Sequence, residues 1–137
     1  MTLKELTGSQ WAGTSVLWKD PLGDVAQVSD CTMAIDDGVL RYTWVYEGTA
    51  QEGWLRCRAD GAEFHDSWHQ NEPVACAPVT DSTAIVTVRY TYLENWGWRI
   101  SLCHRGATDE LVLQMTNVAP WGEEARAARM VCRRVTG

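Results

Sequence analysis

The chain has 137 residues, of which 45% are hydrophobic and 22% charged, so it predicts one globular domain and excludes the disordered and fibrous classes. Its net charge of -6 argues against a nucleic-acid partner, because the broad attraction to phosphate backbones is missing. Tryptophan is unusually frequent, with 8 Trp against 4 Tyr and 1 Phe, which indicates a need for large flat side chains that each carry one N–H.

The chain begins with residues 2–6, for which we predict a helical turn that plugs one end of the fold. Segments rich in Val, Ile, Thr, Trp and Tyr follow, separated by turn residues at spacings of about 8 to 12, which is typical of an all-β sandwich or barrel. The predicted strands are residues 11–18, 25–35, 39–46, 51–58, 62–69, 84–92, 96–104, 110–118 and 126–135. Residues 73–79 are either a short tenth strand or a loop.

Side-chain alternation along these strands shows whether one face of the sheet stays apolar. Turns at Asp37-Gly38, Gly48-Thr49 and Asp60-Gly61 fix the register of four successive strands. One face is then nearly all apolar, and the other carries polar groups that belong in water, His65 and His69 among them. The inward set is Cys31, Met33, Ile35, Leu40, Tyr42, Trp44, Gly53, Leu55, Cys57, Phe64, Asp66 and Trp68, continued by Val86, Val88, Tyr90, Tyr92, Trp96, Trp98, Ile100, Leu102, Leu111, Leu113, Met115, Asn117, Ala128, Met130 and Cys132.

An antiparallel sheet of about nine or ten strands has to hide this apolar face. Uniform hairpin connections favour closure into a single up-and-down antiparallel β-barrel over a folded sandwich. About eight strands already leave room inside for a small ligand, and ten leave more. We therefore predict one all-β barrel domain, residues 1–137, with an interior cavity.

Short motifs along the chain support a barrel of this kind. The opening segment 6–14, Leu-Thr-Gly-Ser-Gln-Trp-Ala-Gly-Thr, resembles the first strand of calycins, the lipocalin and fatty-acid-binding barrels, in which a Gly and a Trp mark the start of the barrel. The other motifs are Tyr42-Thr43-Trp44, Gln51-Glu52-Gly53, Asp66-Ser67-Trp68-His69, Trp96-Gly97-Trp98-Arg99, Met115-Thr116-Asn117-Val118 and Gly122-Glu123-Glu124. Together they resemble a bacterial family of uncharacterised domains with a calycin-like barrel, which implies a ligand-binding barrel fold and no established activity.

Asp66 is the sharpest chemical feature, because the register places this lone carboxylate on the inward face between Phe64 and Trp68. Burial of an unpaired charge is too costly to be incidental. Three roles are open for it. It anchors a ligand, or it braces the barrel by accepting hydrogen bonds from Tyr42, Tyr90 or a Trp N–H, or it acts as a general acid or base.

Aromatic rings on the same face predict a cavity wall. Such rings suit a flat or apolar ligand, although each one can equally fill the core, and a methionine adapts the wall to an irregular shape. The predicted function is binding of a small apolar or aromatic molecule inside the barrel. The predicted ligand-binding residues are Tyr42, Trp44, Asp66, Trp68, Tyr90, Trp98 and Met115.

Three alternatives stay open at this point. An enzyme would use Asp66 as general acid or base on the bound molecule. A haem-binding barrel would use His104 as the proximal ligand. A barrel that is filled solid would instead bind a partner protein. We assign no catalytic residue and no cofactor. We also assign no metal site, since His65 and His69 are about 13 Å apart along a strand and cannot bind one metal ion together.

The cysteines and the hydropathy of the chain indicate the cellular compartment in which we expect the protein. Five cysteines at irregular spacing predict reduced thiols that mostly serve as packing groups. No apolar run reaches the roughly 18 residues of a membrane span, and residues 1–8 do not resemble an export signal. We therefore expect a cytoplasmic protein with no membrane partner, and we leave its oligomeric state open, a homodimer included.

Overall fold

The computed structural model describes residues 2–20, 26–80 and 83–135. Within these residues, the strands form one closed sheet in which each strand pairs antiparallel with the next and the last pairs with the first. The predicted up-and-down β-barrel is therefore confirmed. The elements are a 3-10 helix at Lys4–Leu6 and strands β1 Gln10–Trp18, β2 Ala26–Asp36, β3 Val39–Tyr46, β4 Thr49–Arg58, β5 Gly61–Asp66, β6 Val74–Pro78, β7 Val86–Tyr92, β8 Trp96–Arg105, β9 Glu110–Val118 and β10 Glu124–Arg134.

Most element boundaries lie within two residues of the prediction. The segment 73–79 forms a strand, β6, which brings the total to ten. The predicted opening turn is the 3-10 helix. Position 25, predicted to begin the second strand, lies outside the described residues. The predicted strand 62–69 is too long, because β5 already ends at Asp66 and residues 67–69 form a turn.

The observed register confirms the predicted inward face for the strand residues, Trp68 being outside the strand. Tyr42 on β3 lies opposite Gly53 on β4, and Gly53 lies opposite Asp66 on β5. Residues 93–95 form a three-residue loop, so Tyr90 on β7 lies opposite Trp98 on β8. Side chains of the inward set consequently meet inside the closed sheet.

The two ends of the barrel differ in what they hold. At the end next to the 3-10 helix, the helix end, Leu6, Ile35, Leu40 and Phe64 are at most 2% exposed and fill the interior. The other end is formed by the loops at residues 47–48, 67–73, 93–95 and 119–123, and we call it the tryptophan end. Six of the eight tryptophans lie at or near it: Trp18, Trp44, Trp68, Trp96, Trp98 and Trp121.

A glycine in β1 lets two cysteines meet inside the barrel. Gly13 pairs with Cys31 on one side and with Cys132 on the other, and the two thiol sulfurs lie 3.4 Å apart. A Cβ atom at Gly13 would lie 1.9 Å from the Val131 carbonyl oxygen, so the strands are too close there for any side chain. Both thiols are free and buried, as expected of packing cysteines.

The helical segments among the described residues include none long and apolar enough to span a membrane.

Candidate ligand-binding cavity

A cavity of about 440 Å³ opens at the tryptophan end of the barrel. This volume lies within the range of about 300–1,000 Å³ that small-molecule sites occupy. Its walls come from β1, the 67–73 loop and strands β6 to β10. The aromatic rings in the walls belong to Trp18, Trp68, His69, Tyr90, Tyr92 and Trp98.

The predicted ligand-binding residues divide into two groups. Trp68, Tyr90 and Trp98 line the cavity. The remaining residues do not line it: Met115 is packed in the core, and the others form a hydrogen-bonded cluster around Asp66. The structure therefore brings the predicted residues to one end of the barrel but exposes only part of them to a ligand.

The Asp66 carboxylate is 2% exposed, and each of its oxygens has a partner. Oδ2 accepts hydrogen bonds from Tyr42 Oη at 2.5 Å and from Trp44 Nε1 at 3.2 Å. Oδ1 accepts the backbone N–H of Trp68 at 2.8 Å. Of the three roles open to Asp66, this arrangement favours the brace, because both carboxylate oxygens accept hydrogen bonds from the protein and Asp66 does not line the cavity.

Tyr42 reaches Asp66 by crossing over the strand between them. The middle residue of that row is Gly53, and a Cβ atom there would lie 2.3 Å from Tyr42 Cζ and Oη, so the ring lies directly on the glycine. Burial, reinforced by the charge of Asp66, raises the pKa of Tyr42 well above its usual value. The phenol therefore stays protonated and donates its hydrogen to Asp66.

The turn after Asp66 carries His69 into the cavity, so the prediction that His69 faces water on the outer side of a strand is wrong. The Asp66 carbonyl accepts the backbone N–H groups of His69 and Gln70, each at 3.0 Å, which ends β5 and its side-chain alternation. The His69 ring packs 4.7 Å from the rings of both Trp68 and Trp98.

Trp68 also departs from its predicted place. It lies in the turn, 39% exposed, and not on the inner face of a strand. The Asp66-Ser67 pair is the signal in the sequence that points to this turn, since both side chains bond readily to nearby backbone N–H groups. Gln70, which the sequence reasoning missed, lines the cavity for the same reason.

Two hydrogen-bond donors in the cavity wall lack a full set of acceptors. Among the buried side-chain atoms of the described residues, Trp98 Nε1 alone has no hydrogen-bond partner. Tyr90 Oη accepts a hydrogen bond from Gln70 Nε2 at 3.1 Å, which leaves its own hydrogen for another acceptor. A buried donor without an acceptor lowers the stability of the fold by about 1–3 kcal/mol, so the unpaired indole N–H of Trp98 requires an explanation.

The described residues that line the cavity include no Asp, Glu, Lys or Arg. His69 is the lining residue whose charge titrates nearest to neutrality. Burial lowers its pKa below the usual 6.5, although the Asp66 carboxylate acts in the opposite direction. At neutral pH the described residues of the cavity wall therefore carry no formal charge.

The lowered pKa of His69 predicts a pH dependence of stability. The unfolded chain takes up a proton at His69 more readily than the folded chain does, so this contribution to stability is present above pH 6.5 and is lost as the pH falls below it. In urea unfolding between pH 7 and pH 5, the loss of stability is expected to be smaller for His69→Gln than for the native chain. His65→Gln, on the outer face, serves as the control, and equal slopes for the native chain and His69→Gln would refute the prediction.

His104 lies near the helix end of β8, away from the cavity. Its Nε2 atom is 2.8 Å from Asp109 Oδ1, and hydrogen bonds from Arg134 and His104 lower the pKa of Asp109 to about 2. Nothing in this geometry directs His104 toward a bound haem. Nor does any group of three or more His, Cys, Asp or Glu side chains in the described part of the chain form a metal site.

Comparison with protein-family models and with curated proteins gives no match to this chain. The resemblance to calycin-like domains therefore stays a prediction from the sequence motifs.

Proposed function

We propose that this protein binds a small apolar or aromatic molecule in the cavity at the tryptophan end of the barrel. The single observation that carries the proposal is a cavity of about 440 Å³ whose described lining residues are uncharged and half of them aromatic. Transfer of apolar ligand surface from water onto such a wall has a favourable free energy of roughly 25 cal/mol per Å². A ligand of matching shape would gain this free energy without breaking the core.

The contrast between the two halves of the barrel supports a binding role over loose packing. Leu40 and Phe64 in the helix-end half are 0% exposed, so the sequence is able to fill this interior with side chains. At the tryptophan end it instead leaves the Trp68 ring 39% exposed at the mouth of a hollow. Large aromatic groups left partly uncovered around a concavity are typical of ligand sites.

An enzymatic role finds less support in the geometry. Asp66 is enclosed by its hydrogen-bond donors and is not among the residues that line the cavity. A general acid or base has to come within hydrogen-bond distance of the group that it protonates or deprotonates. We therefore propose binding as the function and treat Asp66 as part of the wall's support.

Titration with N-phenyl-1-naphthylamine, an uncharged aromatic dye whose emission rises in apolar surroundings, tests the proposal. We expect saturable binding of one dye per chain. Trp68→Ala is expected to weaken that binding about tenfold, or 1.4 kcal/mol, because it removes one cavity wall. Trp54→Ala is the matched control, since it deletes the same atoms from a residue that packs against His65 and Arg56 and does not line the cavity.

Two results would count against the proposal. One is a folded native chain that gives no saturable dye signal. The other is an equal loss of dye affinity in Trp68→Ala and Trp54→Ala, which would place the dye on the outer surface of the barrel.

A further inference from the structure

From the donors in the cavity wall we infer the chemical class of the ligand: a planar, uncharged molecule that carries a hydrogen-bond acceptor, such as a carbonyl oxygen or a ring nitrogen. This inference rests on the proposed function, because it concerns the same cavity. It adds one observation that the binding proposal does not need, the unpaired Trp98 N–H, to the lack of charged side chains among the described residues of the wall.

The two donors are neighbours in the sheet. Tyr90 and Trp98 lie directly opposite each other on β7 and β8, and both line the cavity. Trp98 Nε1 has no acceptor among the described residues. The Tyr90 hydroxyl oxygen accepts a hydrogen bond from Gln70 Nε2, and no described residue accepts the hydroxyl hydrogen. One ligand oxygen or nitrogen placed between these neighbours would supply what the protein omits.

The cavity wall disfavours charged ligands. An anion buried here would face no lysine or arginine among the described lining residues, and the Asp66 carboxylate acts electrostatically on His69 nearby. A cation would be drawn to the rings and to Asp66, but an ammonium group only donates hydrogen bonds and so leaves the Trp98 N–H unpaired. A neutral acceptor avoids both costs.

A ligand acceptor has to pass the His69 side chain to reach the indole N–H of Trp98. Trp98 is 5% exposed and its Nε1 atom is closed off from solvent, while the His69 ring packs 4.7 Å from the indole ring. His69 belongs to the turn after β5 and not to a strand, so its side chain is the neighbour that can turn aside without breaking the sheet. Its uncharged state also lowers the cost of contact with an apolar ligand.

A set of four probes with one shared ring system tests this class by equilibrium dialysis at pH 7.5. Fluorene, fluorenone, the fluorenyl ammonium cation and fluorenecarboxylate differ only at the bridging carbon. This carbon is a CH₂ group in fluorene and the carbonyl carbon in fluorenone, and in the two ions it carries an ammonium or a carboxylate group. We expect fluorenone to bind about fivefold more tightly than fluorene, as one added hydrogen bond implies. Both ions are expected to bind more weakly than fluorenone.

Two tryptophan variants assign the preference to its donor. Trp98→Phe keeps an aromatic face but loses the N–H, so its preference for fluorenone over fluorene should fall well below fivefold, with the Tyr90 hydroxyl as the donor that is left. Trp68→Phe makes the same change at another cavity residue and should keep the fivefold preference. In ¹H–¹⁵N spectra of the native protein, fluorenone and not fluorene should move the Trp98 indole resonance downfield.

The outcomes separate this inference from the function on which it rests. If none of the four probes binds, the proposed function fails. If fluorene and fluorenone bind equally, or if either ion binds most tightly, the cavity binds ligands but the inferred class is wrong. Should Trp98→Phe not fold, the indole spectrum of the native chain decides: an unmoved Trp98 resonance with bound fluorenone overturns the inference.

Discussion

Asp66→Ala is expected to destabilise the barrel by about 3–5 kcal/mol. The substitution removes the acceptor from Tyr42 Oη and Trp44 Nε1, and both of these side chains are buried. Each buried donor left unpaired costs about 1–3 kcal/mol, and the turn that Oδ1 holds through the Trp68 N–H is weakened as well. Urea unfolding at pH 7 measures the change.

The control for this prediction is Asp30→Ala. Asp30 is exposed on β2, so its loss should change stability by no more than about 0.5 kcal/mol. Asp66→Asn should lie between the two, because the amide keeps one acceptor oxygen and nearly the same shape. If Asp66→Ala were as mild as Asp30→Ala, the cluster would not be a brace, and the ligand-anchor role would regain support.

Gly53→Ala is expected to cost about 2–4 kcal/mol although it adds one methyl group. That methyl would lie 2.3 Å from Tyr42 Cζ and Oη and 2.8 Å from the His65 carbonyl oxygen, so the tyrosine ring has to leave its place over β4. Its hydrogen bond to Asp66 would be lost together with the packing. Thermal or urea unfolding reports the change.

Gly106→Ala provides the matched comparison, because a Cβ atom there meets no heavy atom within 4 Å. It should leave stability nearly unchanged. In a Tyr42→Leu background, Gly53→Ala should cost less than in the native chain, since the ring that it displaces is already gone. Strictly additive effects would show that the tyrosine does not cross the strand at Gly53.

Side-chain alternation, carried from strand to strand by the hairpin turns, explains how much of this fold was predictable from sequence. Turn lengths set the strand register before any packing is known, and the register alone puts Tyr42, Gly53 and Asp66 in one row. Which residue in a row contacts which depends on ring size and on empty space above the glycine. The hydrogen bond from Tyr42 to Asp66 was accordingly only one of several options for the brace.

The cavity was less predictable, because its wall includes residues that have left the strand. Side chains alternate between the two faces only where the backbone hydrogen bonds join neighbouring strands of the sheet. At Asp66 these are replaced by local hydrogen bonds from the N–H groups of residues 68–70. His69 therefore points where a strand residue could not. The position of the hollow depends on which large side chains fill the other half, such as Phe64, and periodicity does not carry that information.

The seam between β1 and β10 has a consequence for how the protein forms. Trp11 pairs with Arg134 and Leu17 with Ala128, so the two strands that complete the sheet are far apart in the chain. Pairing at such separation is entropically slow, and a nascent chain that lacks β10 has unsatisfied edges on β1 and β9. Until β10 pairs with them, these two edges are open to pairing with other chains, so closure of the barrel is the step that removes this route to aggregation.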